Sequence, residues 1–448
     1  MTLFDERLKL FPLTTSPVID GNEISLSIAG CGLKDLALLH GTPLYLIDQY
    51  TLDEAVRCYR QALFEHYPAG CGLTYAGKAF LCSAMAQWAD KKELWIDCTG
   101  AGEIHIAMNA KVRKERILVH GVNKSPADLE AAIKHAGIIV VDNLAELELL
   151  HYYTWHIMEV KKEERPKLWL RLRPGISVET HTYTQTGHHD SKFGMGMDEA
   201  SKAVIFCLER EIALEGIHFH LGSQFRDPGP IGKALEMVLD WLKECREQTG
   251  WYPESLSPGG GWGMAYHEDD LPHPSIEDYI GFITHQITEG CVLRNLPLPW
   301  LQIEPGRSLI AQAGVALYMV GNVKKTPQRR WILVDGGLAD NPRPALYGTR
   351  YSALPVVNPE RPAVGPSWIA GPFCESGDIL IEGLPLPDLK TGELIAIPMS
   401  GAYHLSMSSN YNGACKPAVV WLKEGAAHLV QRREVPSDLT RRDILLPE

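Results

Sequence analysis

Short apolar runs and longer stretches of helical periodicity take turns along most of this chain. Strands are predicted at 73–78, 94–97 (Leu-Trp-Ile-Asp), 117–120 (Ile-Leu-Val-His), 138–142 (Ile-Ile-Val-Val-Asp), 168–173, 214–220, 256–259 and 301–304. Helical spacing of apolar residues predicts helices near 81–92, 102–111, 127–136, 144–158, 198–210, 230–248 and 275–289, with start signals such as Ser125-Pro126. One more helix, 51–66, opens on the capping-box pattern Thr51-Leu52-Asp53-Glu54. Eight helices for eight strands imply parallel pairing, and that repeat count predicts an α/β fold built on a (β/α)8 TIM-like barrel. An open doubly wound sheet is the competing reading.

From about residue 312 the pattern changes to short strands separated by Pro and Gly, at 315–320, 331–335, 368–370, 394–397 and 418–422. These predict a second, mostly β domain of sandwich or barrel type. Residues 1–40 read as irregular structure with short strands that join it. The expected division is a barrel over 41–311 and a β-rich domain made of 1–40 plus 312–448.

Composition narrows the class. The chain has 448 residues, 45% hydrophobic and 22% charged, which describes a globular protein long enough for two cores. A net charge of −12 without a basic tract argues against nucleic acid or an anionic membrane as partner. The charged start Met1 to Arg7 lacks the apolar core of a signal peptide, so a cytoplasmic location is expected. Ten cysteines include no C-x-x-C pair, and most are expected to be small buried hydrophobes.

The candidate chemistry falls at the C-terminal ends of the predicted barrel strands, where barrel enzymes assemble their sites. Lys78, in Thr74-Tyr75-Ala76-Gly77-Lys78-Ala79-Phe80, sits among small and apolar residues that strip hydration from an ammonium. Such a lysine suits Schiff-base chemistry, the plainer alternative being a strand-end lysine that reaches water. His120, Lys124, Asp142, Arg171, His218 and His220 follow at later strand ends. Gly259-Gly260-Gly261 after the seventh strand and Gly306-Arg307 after the eighth offer backbone amides, and a cation, to a phosphate; taken alone, glycines also serve turns. A phosphate site, an imine-forming lysine and a carboxylate, Glu304, together suit pyridoxal phosphate, with Glu304 at the pyridine nitrogen and His220 against the ring.

Beyond that chemistry, an ordered set of motifs is recognisable. Tyr75-Ala76-Gly77-Lys78-Ala79, His120-Gly121-Val122-Asn123-Lys124-Ser125, Ser191-Lys192-Phe193-Gly194, Phe219 to Gln224, Glu304-Pro305-Gly306-Arg307, Arg343 to Gly348, Gly371 to Ser376 and Gly401-Ala402-Tyr403 resemble the diaminopimelate decarboxylases, among the alanine-racemase-like (fold III) pyridoxal phosphate enzymes. The resemblance runs from about residue 40 to 425. It implies a head-to-tail homodimer with shared active sites, in which Cys374 and Glu375 of one subunit complete the site of the other. It further implies that Lys78 takes the cofactor's aldehyde, that His220 stacks on its ring and that Ser223, Gly260 and Gly306 take its phosphate, with Glu304 at the ring nitrogen and Tyr403 close by. Arg307, Arg343 and Tyr347 are implied to hold the distal carboxylate of the substrate and Glu375 its distal ammonium; Cys374 is the expected proton donor, with Lys78 the alternative. The neighbouring Gly261 is expected among the cofactor contacts. Four positions depart from the family pattern: Ser257 for an aspartate before the glycine run, Ala339 for an asparagine, Arg173 for an asparagine, and Gly100-Ala101 for Ser-Gly.

The substrate also follows from charge. A diamine precursor ends in an ammonium that an arginine repels, whereas diaminopimelate ends in a second amino-acid head group suited to Arg343 and Arg307 beside Glu375. The expected reaction is decarboxylation of meso-diaminopimelate to L-lysine and carbon dioxide. Rival readings are a decarboxylase of D-lysine or D-ornithine on the same fold, and a non-catalytic regulatory relative. For Arg343 the structural alternative is an ion pair with Asp340. The loop 180–190 carries three histidines without zinc-ligand spacing, so no metal is expected and a lid over the cofactor is preferred.

Overall fold

The computed structural model describes residues 2–176, 187 and 190–447. Contacts divide the chain into two compact units, Val56–Gly263 with Pro274–Gly306, and Met1–Ala55 with Met264–His273 and Arg307–Glu448.

The first unit is a closed barrel of eight parallel strands: Cys71–Ala76, Trp95–Cys98, Ile117–Val119, Ile138–Val141, Lys167–Leu172, Leu214–Phe219, Ser255–Gly259 and Trp300–Ile303. Each pairs with its sequence neighbour, and the last closes on the first through Leu301–Ile303 against Cys71–Leu73. All eight strands coincide with the apolar runs of the sequence. Packing inside requires specific sizes: a Cβ at Gly216 would lie 2.6 Å from the indole nitrogen of Trp169, so glycine there makes room for the buried tryptophan. The helix Pro126–His135 begins where its cap predicts, with Ser125 and Asp128 in a reciprocal capping box, whereas the helix expected to open at Thr51 begins two residues earlier, at Gln49, and its Thr51 amide donates to Asp48 Oδ2 at 3.1 Å in place of the predicted box. The predicted helix 144–158 is α-helical over Leu144–Tyr152 and continues as a π-helical turn over Tyr153–Ile157.

The second unit is mostly β. Its nine-stranded sheet is organised around the long strand Gly314–Lys325, which pairs with Arg330–Val334, Leu394–Ile397 and Leu44–Asp48. A core of Leu26, Ile28, Leu33, Leu44, Leu46, Val315, Leu317, Ala396, Val420 and Leu422 ties the N-terminal segment to that sheet. Residues 1–40 are more ordered than expected, with helices Leu3–Leu8 and Leu33–His40 beside a three-stranded sheet. No helix among the described residues is long and apolar enough to cross a membrane.

Candidate active site

In the barrel unit the first strand stops at Ala76, two residues before the predicted end. Gly77 meets the carbonyl of Asp97, where a Cβ would lie 2.6 Å away, and the chain turns into a single 3-10 turn, Gly77–Ala79. The Tyr75 hydroxyl donates back to the Phe80 carbonyl at 2.6 Å and holds that turn. Lys78 projects from it exposed, between buried Gly77 and Ala79, so the desolvation expected from its apolar neighbours is absent. Its charge reaches His220: burial first, then Lys78 and Arg171, push the His220 imidazole well below its ordinary pKa and keep it neutral.

Glu304 follows the last barrel strand and is buried. Ser257 donates its hydroxyl to Oε1 at 2.6 Å, His120 Nε2 lies 3.0 Å from Oε2 and His218 Nε2 lies 3.4 Å from the same oxygen. The two imidazole rings meet edge to face at 4.5 Å. Burial alone would raise the carboxyl; the adjoining imidazoles of His218 and His120 outweigh it and hold Glu304 well below the usual carboxylate range. His120 and His218 stood out in the sequence as strand-end residues, but nothing there tied them to Glu304. Ser257, a departure from the family pattern, turns out to be a direct partner of that carboxylate.

Next to Glu304 the glycines leave backbone bare. A Cβ at Gly260 would sit 2.2 Å from the Glu304 carbonyl, and one at Gly261, where φ is +108°, would sit 2.3 Å from the Gly222 carbonyl. A Cβ at Gly306 would press on Ala76 and Ala79 at 3.0 and 3.2 Å. Side chains are excluded at Gly260 and Gly261 and crowded at Gly306, so a ligand group can approach the main chain itself. Ser223 lies just beyond the sixth barrel strand, Leu214–Phe219. Other strand-end residues serve the scaffold: Lys124 is buried with its Nζ 2.6 Å from Glu146 Oε1, and Arg171 stacks 4.5 Å over Phe193.

The β-rich unit presents a second group. Arg307 and Arg343 are both buried there. Arg307 donates to the Tyr266 hydroxyl at 2.7 Å and its guanidinium lies 4.7 Å from the Tyr403 ring. Arg343 and Tyr347 are one turn apart on the short helix Arg343–Tyr347, closed by Gly348 at φ +60°, so the guanidinium lies 5.2 Å over that ring. Arg343 Nε donates to Tyr351 at 3.1 Å and a second nitrogen to Thr349 at 3.4 Å. Among the described residues Arg343 has no carboxylate partner; Asp340 instead accepts from Tyr318, Tyr45 and the Gly337 amide, which removes the ion pair considered from sequence. Tyr403 holds φ at +62°, a left-handed conformation that bulky residues seldom adopt outside functional sites. Tyr266, Tyr351 and His404 were not anticipated: each is one polar residue in an ordinary segment, brought together by folding alone.

Cys374 is exposed, its amide bonded to Asn412 Oδ1 at 2.9 Å, and the Glu375 carboxylate accepts from the Gly377 amide at 3.1 Å. The loop 180–190, expected as a lid, lies outside the described residues except for Gly187 and Asp190.

Residues 52–311 match the family described as pyridoxal-dependent decarboxylase, pyridoxal binding domain. Diaminopimelate decarboxylase of Halalkalibacterium halodurans is 39% identical over 426 residues, covering 94% of this chain and 95% of that protein. The Bacillus subtilis enzyme of the same name is 39% identical over 429 residues, with 94% and 95% covered. The chain belongs to the diaminopimelate decarboxylase family. Solved structures agree: the diaminopimelate decarboxylase of M. jannaschii in complex with L-lysine superposes with a TM-score of 0.86 at 28% identity, covering 96% of this chain and 98% of that one. That of Helicobacter pylori, also complexed with L-lysine, gives 0.81 at 29% identity, with 91% and 98% covered.

Pyridoxal phosphate is the cofactor of this family, and the barrel residues fit it. The side-chain-free glycine turn suits a phosphate, and the buried, ionised Glu304 suits a protonated ring nitrogen.

Proposed function

We propose that this chain decarboxylates meso-diaminopimelate to L-lysine and carbon dioxide, using pyridoxal phosphate and working as a homodimer in the cytoplasm. The observation that carries the substrate is Arg343, a buried guanidinium held by tyrosine and threonine hydroxyls with no carboxylate partner among the described residues. A buried cation of this kind is completed by a ligand carboxylate, and the planar fork grips two oxygens at once. Diaminopimelate brings that carboxylate; lysine and ornithine end in a lone ammonium and bring none.

When bound, pyridoxal phosphate supplies an electron sink for the pair left behind by departing carbon dioxide. In this reading Lys78 holds the aldehyde, His220 the ring face, Ser223, Gly260, Gly261 and Gly306 the phosphate, and Arg307 and Tyr403 flank them. Glu304 keeps a proton on the ring nitrogen. Arg307, Arg343, Tyr347 and Tyr403 orient the distal head group by its carboxylate, and Glu375 takes its ammonium. Cys374 of the partner subunit donates a proton from Sγ to the α-carbon. Exposure of Cys374 in the single protomer supports a role across a subunit boundary. The domain division that goes with this reading is a cofactor-binding barrel over 41–311 and a β-rich remainder that completes the site and forms the dimer interface.

Carbon dioxide release is expected from meso-diaminopimelate at least about 100-fold faster than from D-lysine or D-ornithine at equal concentration. Equal or faster release from either D-amino acid would overturn the substrate. Cys374→Ala should keep the absorbance of bound cofactor and lose turnover by about 1,000-fold; unchanged turnover removes Cys374 from the proton transfer.

A further inference from the structure

Behind Arg343 the β-rich unit buries a line of polar side chains that the reaction does not use: Tyr351, His404, Tyr45, Tyr318 and Asp340. Each contact in the line fixes the next. Arg343 can only donate, so its Nε–H points at the Tyr351 oxygen at 3.1 Å. Tyr351 then donates its own proton to His404 Nε2, 2.7 Å away. With its lone pair committed at Nε2, the imidazole carries hydrogen on Nδ1 and gives it to the Tyr45 oxygen at 3.2 Å. Tyr45 passes its proton to Asp340 Oδ2 at 2.9 Å, where Tyr318 also donates at 2.5 Å, while the Gly337 amide caps Oδ1 at 2.8 Å. Reversing the line would set the Tyr351 proton against the Arg343 N–H, leaving two donors facing each other. A donor-only residue at one end and a carboxylate at the other therefore set a single direction.

We propose that Tyr351 and His404 are positioning residues that hold Arg343 at the angle needed to grip the distal carboxylate of the substrate, with Asp340 as the anchor of the line. This rests on the reading of Arg343 given above. The imidazole is suited to the task because burial, then Arg343 and Arg307, keep it well below its ordinary pKa and hence neutral. The anchor responds to acid. Burial raises the Asp340 carboxyl to about 6, against the donors Tyr318, Gly337 and Tyr45 and with Asp378 adding to the rise; Arg433 is the cation that senses it. Once Asp340 is protonated, Oδ2 no longer takes both phenol protons and the direction of the line is lost.

The test is steady-state kinetics of the holoenzyme with meso-diaminopimelate, alongside the inhibition constant of D-lysine, which lacks a distal carboxylate. Tyr351→Phe removes one hydroxyl and should raise KM about tenfold with little change in kcat, leaving inhibition by D-lysine unaltered. Tyr45→Phe should raise KM less and flatten its rise below about pH 6. An unchanged KM in Tyr351→Phe, or equal weakening of D-lysine, overturns the proposal. If Arg343→Ala raises KM while Tyr351→Phe does not, the line is wrong and the substrate assignment stands. If Arg343→Ala leaves KM unchanged, the substrate assignment itself fails.

Discussion

Glu304 in the barrel and Asp340 in the β-rich unit are both buried carboxylates with their oxygens engaged by three donors, yet burial leaves them with opposite character. Glu304 is driven well below its ordinary pKa, and Asp340 is raised to about 6. The donors differ in what they can become. His120 and His218 are themselves lowered by burial while Glu304 pulls them back up, so these three groups form one set that can pass a proton among its members, whereas Tyr45, Tyr318 and the Gly337 amide offer hydrogen bonds and nothing more. Hydrogen bonding satisfies a buried acid, but a neighbour able to take up its proton decides whether it ionises.

The sharpest way to break this comparison is at the carboxylates themselves. On the proposed reading, in which Glu304 meets the ring nitrogen, Glu304→Gln should lower kcat about 1,000-fold, while Asp340→Asn leaves kcat within about threefold and acts on KM. Equal losses of kcat would abolish the distinction. A second measurement uses acid. Asp340 has its folded pKa raised from 3.8 to about 6, so its contribution to stability is complete below about pH 3.8 and is lost as the pH rises through about 6, a swing of up to about 3 kcal/mol. Glu304 runs the other way: its contribution is present above about pH 4.5 and is lost as acid protonates the carboxylate. Urea midpoints of the two neutral variants, each subtracted from the native chain over this range, should slope in opposite directions; parallel slopes refute the assignment. The smallest effect is expected from Ser257→Ala, which takes one donor from Glu304 and should lower kcat roughly tenfold.

Legibility followed the same line between local and distant causes. The eight barrel strands were readable because buried parallel strands write themselves as apolar runs, such as 138–142. The strand Ile379–Leu386 was not, since Gly383 and Pro385 interrupt it, and Ala426–Gln431 escaped because it is mostly exposed. The helix Leu3–Leu8, six residues long, is too short for apolar periodicity to show, although Thr2 and Asp5 form its capping box. Motif residues such as Lys78, Glu304 and Arg343 stand out in the sequence as candidates by their neighbours. The line from Asp340 to Tyr351 does not: Tyr45 and His404 lie 359 positions apart, and no local pattern pairs them. Ser257 drew notice only as an oddity, and its hydroxyl acquired meaning once the eighth strand lay beside the seventh.

Tyr403 carries an evolutionary consequence. A ring held at φ +62° costs the native state about 1 kcal/mol that glycine would return, so selection for heat tolerance alone drifts toward glycine at this position. A laboratory lineage bred only for thermal endurance should therefore surrender this tyrosine early, and one bred for turnover should keep it.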